Sequence, residues 1–167
     1  MRRFLSVALG VGAAAAAGGL LAACGGSSTK GDVNTAYNKV LKATVIVDSR
    51  GWTLYQFDAD TENTPTCYDV ATYHCSKGWL PLRVHGAVKA GKGVDASLLT
   101  TVKRTDGTIQ ASYNRHPLYT FAGFGSGGNA PAAPGDAKPG DVNGQAYIEY
   151  WWVLSPAGKL IKTTPSG

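Results

Sequence analysis

Methionine occurs once in these 167 residues, as Met1, and cysteine only three times. A lone methionine at the first position leaves no interior thioether to ligate copper or haem iron. Neither the C-x2-C spacing of zinc sites nor the C-x-x-C-H attachment of c-type haem is present, so no metal and no cofactor is expected. Charged residues make up only 16% of the chain, and Lys and Arg never gather into a basic run or helix, which argues against a nucleic-acid partner. The serine-nucleophile elbow G-x-S-x-G, the H-E-x-x-H zinc helix and the phosphate-binding Walker loop are all missing. No catalytic residue is assigned, and a non-enzymatic protein is the favoured expectation.

The N-terminus is what the sequence states most clearly. Arg2 and Arg3 precede an uncharged apolar run, Phe4 to Ala23, which ends in Leu21-Ala22-Ala23-Cys24. Positive charge, apolar stretch and small-residue cleavage site are the parts of an export signal. Cysteine directly after the small residues resembles the bacterial lipobox, so residues 1–23 are expected to be removed and Cys24 to carry lipid. Removal of Arg2 and Arg3 leaves 14 basic against 11 acidic residues, a mild positive balance. Residues 24–42 read as a lipidated N-terminus and tether, with one short helical turn near Ala36 to Leu41. The expected location is the extracytoplasmic face of the cell membrane, held by the lipid. In that oxidising compartment Cys67 and Cys75 read as a disulfide, the alternative being a metal pair with His74.

From Ala43 the chain turns strand-like. Ala43 to Asp48, a turn at Ser49-Arg50-Gly51, and Trp52 to Phe57 read as a hairpin, with Leu54 and Tyr55 on opposite faces. A second hairpin runs Thr100 to Arg104 and Thr108 to Tyr113 around Asp106-Gly107. A third runs Tyr147 to Leu154 and Lys159 to Thr163. Between Ala122 and Gln145 lies a Gly/Pro/Ala-rich stretch, long enough to be either a flap or a loop pinned by a ligand or ion. Leu54-Tyr55-Gln56-Phe57 recurs as Leu118-Tyr119-Thr120-Phe121, and Trp79-Leu80-Pro81 echoes the segment starting at Trp152. Two copies suggest a duplicated domain. The fold expected is mostly β: a small sandwich or barrel of antiparallel hairpins over residues 43–164, with halves of about 43–99 and 100–164.

These residues resemble a family of predicted bacterial lipoproteins with a Y-x-(F/W/Y)-x-x-D motif, a secreted repeat of unknown function. Tyr55, Phe57 and Asp60 occupy the defining positions, and Tyr119 and Phe121 begin a second copy. Similar stretches recur in order from Ala43 to Ile161. In the second copy Phe124 stands where the motif has aspartate, and Asp141 is the acid expected to compensate. The resemblance implies a secreted lipoprotein and no particular activity.

Other side chains invite chemistry. Asp58, Asp60 and Glu62 alternate as calcium ligands do, but lack the EF-hand glycine and its twelfth-position Glu. Ordinary strand-end turns are the simpler reading. His74, His85 and His116 fall in loops, where hydrogen-bonded histidines are the usual case. On the aromatic strand, Trp151 or Tyr147 could be exposed as a platform for a ligand, against the plainer reading that both are core. The expectation as a whole is a membrane-anchored binding or envelope-interaction module, its partner an envelope protein or a glycan. The alternative is an electron-transfer or metal-handling accessory of the envelope.

Overall fold

A computed structural model describes residues 30–70, 73–126 and 128–165. Cys24 and the leader lie outside them. The strands are β1 (Val33–Asn38), β2 (Ala43–Asp48), β3 (Tyr55–Phe57), β4 (Asp69–Val70), β5 (Tyr73–His74), β6 (Trp79–Pro81), β7 (Leu99–Lys103), β8 (Ile109–Tyr113), β9 (His116–Pro117), β10 (Tyr119–Phe121), β11 (Gly123–Phe124), β12 (Ala133–Pro134) and β13 (Trp151–Val153). One helical turn, α1 (Cys75–Gly78), joins β5 to β6. The fold is mostly β and sandwich-like, its strand pairs antiparallel, and among the described residues no sheet closes into a barrel.

The centre is a four-stranded sheet in the order β13-β3-β10-β6. Consecutive residues on its strands point to opposite sides, as the period of two requires. Tyr55, Tyr119, Phe121, Trp151 and Val153 enter one core with Trp79, while Leu54, Leu118 and Leu154 enter a second with Ile46, Ala111 and Tyr113. The sheet is therefore buried on both faces, which explains its unbroken apolar and aromatic runs.

The duplication is exact enough to be read hydrogen bond by hydrogen bond. Leu54 N–H donates to Ile46 O and Leu118 N–H to Ala111 O; Ile46 N–H donates to Leu154 O and Ala111 N–H to Leu82 O. Trp151 faces Phe57 across β13 and β3, as Trp79 faces Phe121 across β6 and β10. The structural mate of Trp79 is thus Trp151, one residue before the Trp152 suggested by the sequence echo. Tyr55 and Tyr119 face each other where the halves meet. Strand β6 of the first half pairs with β10 of the second, and β13 of the second with β3 of the first, so the halves exchange strands.

Several boundaries differ from expectation. Residues 33–38 are strand rather than tether or helical turn: β1 pairs with β2 over six positions, and Val33 is fully buried. β2 keeps only the Val47–Thr53 bridge with the segment that follows it. That segment leaves to join the central sheet, because Tyr55 and Phe57 are core residues there. In the third hairpin the strand begins at Trp151, since Tyr147–Glu149 form a 3-10 turn with Ile148 at φ 48°. The β7–β8 hairpin is as read, with Gly107 at φ 82° closing its turn.

Cys67 and Cys75 are bridged, with Cα atoms 5.2 Å apart and both residues buried. The bridge closes the loop that carries β4, β5 and α1. Arg104, itself buried, anchors that loop by donating to the Cys67 carbonyl at 2.6 Å and to Gln110 Oε1 at 2.6 Å.

Candidate functional site

The motif residues meet across the axis relating the halves. Tyr119 OH donates to Asp60 Oδ2 at 2.8 Å, and Tyr55 OH donates to Asp136 Oδ2 at 2.9 Å. Each half's tyrosine is held by the other half's acid. Asp60 N–H donates to Phe57 O at 3.0 Å, and Asp136 N–H donates to Phe121 O at 3.0 Å. By both bonds Asp136 fills the motif's aspartate position in the second copy, with residues 122–135 standing where the first copy has only Asp58 and Ala59. Asp141, the acid expected to compensate, does something else: its Oδ2 accepts from the N–H groups of Ala137 and Lys138. The chain offers Pro-Gly-Asp twice, at 134–136 and 139–141, and only the register with Phe121 distinguishes them. These bonds and Asn143 N–H on Asp136 Oδ1 anchor the end of the inserted stretch; within it β11 pairs with β12, and the Pro131 carbonyl accepts from Tyr147 OH.

Asp136 borders a cavity of about 290 Å³ lined by Arg50, Trp52, Leu80, Thr120, Phe121 and Ala122. Local sequence builds the part of the rim that carries Arg50 and Trp52. Asp48 ends β2 and its Oδ1 accepts from the N–H groups of Arg50 and Trp52, a side chain folding the turn that follows it. The same carboxylate holds the Arg50 guanidinium at 2.8 Å, leaving it 5.6 Å from the Trp52 ring. Trp52 is half-buried and Leu80 exposed, so the pocket has an aromatic wall and an apolar lip. Asp136 is only 8% exposed. Burial pushes its carboxyl up to about 6, against the lowering effect of the bonds from Asn143 N–H and Tyr55 OH. Burial likewise raises Asp60 and, with the neighbouring carboxylates, lifts both tyrosine hydroxyls well above their ordinary value. A buried, shifted acid at the edge of a cleft makes this a candidate binding or reacting site.

The duplication supplies a second hollow of about 420 Å³, lined by Asp60, Thr61, Glu62, Asn114, Arg115 and His116. By the offset that relates Leu54 to Leu118, His116 stands where Trp52 stands in the first, with Arg115 just before it. Here Arg115 pairs with Glu62 at 2.7 Å, and burial lowers the His116 pKa. The two sites have diverged: one walled by an indole, the other by an imidazole and an ion pair.

The remaining sequence-read residues divide as follows. Trp151 is 0% exposed and Tyr147 9%, so neither is a platform; Trp151 lies between the Phe57 ring at 4.3 Å and the Trp79 ring at 3.7 Å. Tyr147 is packed on Phe124 and its OH donates to Pro131 O at 2.6 Å. Asp58, Asp60 and Glu62 diverge: Asp58 accepts from Gln56, Trp152 and Lys162, and Asp60 from Thr66 and Tyr119. His74 hydrogen-bonds Asp69, and His85 is exposed. Among the described residues no three His, Cys, Asp or Glu side chains come together as a metal site would need. Arg50, Trp52 and Asp136 were missed in the sequence. The repeat itself held the signal, since the duplicated tyrosine requires a second acid.

Fold and site define a duplicated, mostly β repeat in which two of the surface hollows are lined by residues of both halves. A family model described as a secreted repeat of unknown function matches residues 100–126, from β7 to just past β11. It is the family that the Tyr55 and Tyr119 motifs resemble, and with a secreted repeat goes an extracellular location. No curated protein and no solved structure matches the chain. No helix among the described residues is long and apolar enough to cross a membrane.

Proposed function

We propose that the protein is a lipoprotein anchored through Cys24 on the outer face of the cell membrane, and that its domain is a non-enzymatic module binding a sugar ring between Trp52 and Asp136. The observation that carries this reading is a buried carboxylate and a half-buried indole lining one cavity. An indole face accepts the apolar face of a pyranose, and Asp136 retains lone pairs for two ring hydroxyls after serving Tyr55 and Asn143. Thr120 adds a hydroxyl, and the Arg50–Asp48 pair closes the rim. Glycoside hydrolysis would call for a second carboxylate across the scissile bond. Asp136 is the single acid among the lining residues, which favours binding over cleavage.

The test is calorimetric titration of the purified protein with soluble oligosaccharides of the cell envelope. Trp52→Ala is expected to weaken binding by about 2 kcal/mol, roughly thirtyfold in Kd, as for a central aromatic anchor. Its thermal midpoint should barely move, because Trp52 is outside both cores. Equal affinity of the variant and the wild type, or saturable capture of an envelope protein in place of the sugar, counts against the proposal. Anchoring is tested separately. Cys24→Ala is expected to move the protein from the membrane fraction to the medium or to leave it unprocessed, since the thiol that would carry the lipid is gone. Unchanged membrane association of a variant cleaved like the wild type would dispose of the lipid.

A further inference from the structure

The rings between the two pockets form a continuous, symmetric series. The Tyr55 and Trp79 ring centroids are 5.2 Å apart, edge to face; Trp79 and Trp151 stack at 3.7 Å with parallel planes; Trp151 and Tyr119 are again 5.2 Å apart, edge to face. Phe121 and Phe57 cover the outer faces of the indole pair at 4.2 and 4.3 Å. Trp79, Trp151, Tyr55 and Tyr119 are all fully buried. Neither indole N–H has a hydrogen-bond partner among the described residues, whereas each phenol O–H is bonded to a carboxylate. A purely apolar core would be served better by phenylalanine, which buries no unpartnered N–H. The two polar features that packing leaves unexplained are arranged in a functional sense: the inner pair cannot give up a proton, and the outer pair can.

We propose that Tyr55, Trp79, Trp151 and Tyr119 form a buried hole relay, by which the domain gives one electron to an outer-sphere one-electron oxidant and keeps the hole as a phenoxyl radical on Tyr55 or Tyr119. The balance is local. One electron leaves for the oxidant, which is reduced; the phenol O–H bond breaks; its proton forms a new O–H bond on Asp136 Oδ2 or Asp60 Oδ2. The phenol–carboxylate pair passes from a charge of minus one to zero, so no new charge is created in the low-dielectric core. The donor–acceptor distances of 2.9 and 2.8 Å are within reach for direct proton transfer. The stacked indoles, without an acceptor for their N–H protons, hold a hole only as a cation, so they pass it outward to whichever tyrosine can release its proton. The inference shares Asp136 with the sugar reading but needs neither Trp52 nor a bound sugar, so the two can fail separately.

The experiment is flash oxidation of the full-length protein in detergent by a photogenerated ruthenium(III) polypyridyl complex, followed by electron paramagnetic resonance and transient absorption. The wild type is expected to give a long-lived tyrosyl signal whose formation slows in deuterium oxide. Tyr55→Phe with Tyr119→Phe should abolish that signal and leave a short-lived tryptophan radical. Each single variant, which keeps its ring and one intact arm, should remove only part of it. Tyr37→Phe with Tyr150→Phe, at the exposed tyrosines, should leave the signal intact. An undiminished tyrosyl signal in the buried double variant, or its loss in the exposed one, overturns the relay. Should the buried double variant fail to fold, equal signals in both single variants and the wild type would overturn it instead.

Discussion

Trp151→Ala is expected to destabilise the domain by about 3–5 kcal/mol, the range for removing a large aromatic from a packed core. Domains of this size have about 5–15 kcal/mol in all, so the variant should approach unfolding at ambient temperature. The magnitude follows from what Trp151 touches. Its indole is packed between Phe57 and Trp79 and meets the edge of Tyr119. It also sits on β13, the strand by which the second half closes the sheet of the first. Surroundings that tight cannot collapse into the void: Gly144 already lies so close that an added Cβ would fall 2.5 Å from the Trp79 ring. Urea unfolding followed by circular dichroism measures the loss. A change below about 1 kcal/mol would mean that the stacked pair is not the centre of the core.

Asp136→Ala is expected to cost roughly 2–4 kcal/mol at neutral pH, because it leaves the Tyr55 hydroxyl and the Asn143 N–H without their acceptor. The two groups hold the inserted stretch to the central sheet, so protease cleavage within residues 122–135 should accelerate as well. The conservative Asp136→Asn isolates the charge. Folding raises this carboxyl from its ordinary 3.8 to about 6, which means the fold favours its protonated form. Its contribution to stability is then fully present below about pH 4 and is lost as pH rises through 6. The stability difference between wild type and Asp136→Asn should therefore move against the wild type between those limits. Asp60 is raised in the same direction but is common to both proteins, so it cancels. A difference independent of pH across this window would show that Asp136 titrates as a solvated acid.

How much of this could be read beforehand depended on the range of the interaction. Period-two alternation exposed the core strands, because Leu54 and Tyr55, or Leu118 and Tyr119, must point to opposite faces wherever the strand lies. Asp106-Gly107 revealed its hairpin because a turn needing positive φ is a local matter. The cysteine pair was legible from an eight-residue spacing and an oxidising destination. The candidate site was not. Trp151 looked available as a platform because alternation tells which residues share a face, and never what covers that face. Asp136 is not legible because an insertion separates it from Phe121, and an identical tripeptide at 139–141 offers Asp141 instead. The polar and small residues of β1 lack a strand's pattern and read as tether; they form strand because β2 offers an edge with six positions to pair.

By itself the sequence determined the local and the repeated: strand periodicity, the turn glycine, the short disulfide loop and the existence of two related halves. Each depends on residues near one another in the chain or on self-similarity. Tertiary structure alone decided that the halves exchange strands, that each tyrosine binds the opposite half's acid, and that the two indoles stack where the halves meet. Those are contacts between residues separated by tens of positions, where many registers satisfy the same pattern and only simultaneous packing of both cores selects one.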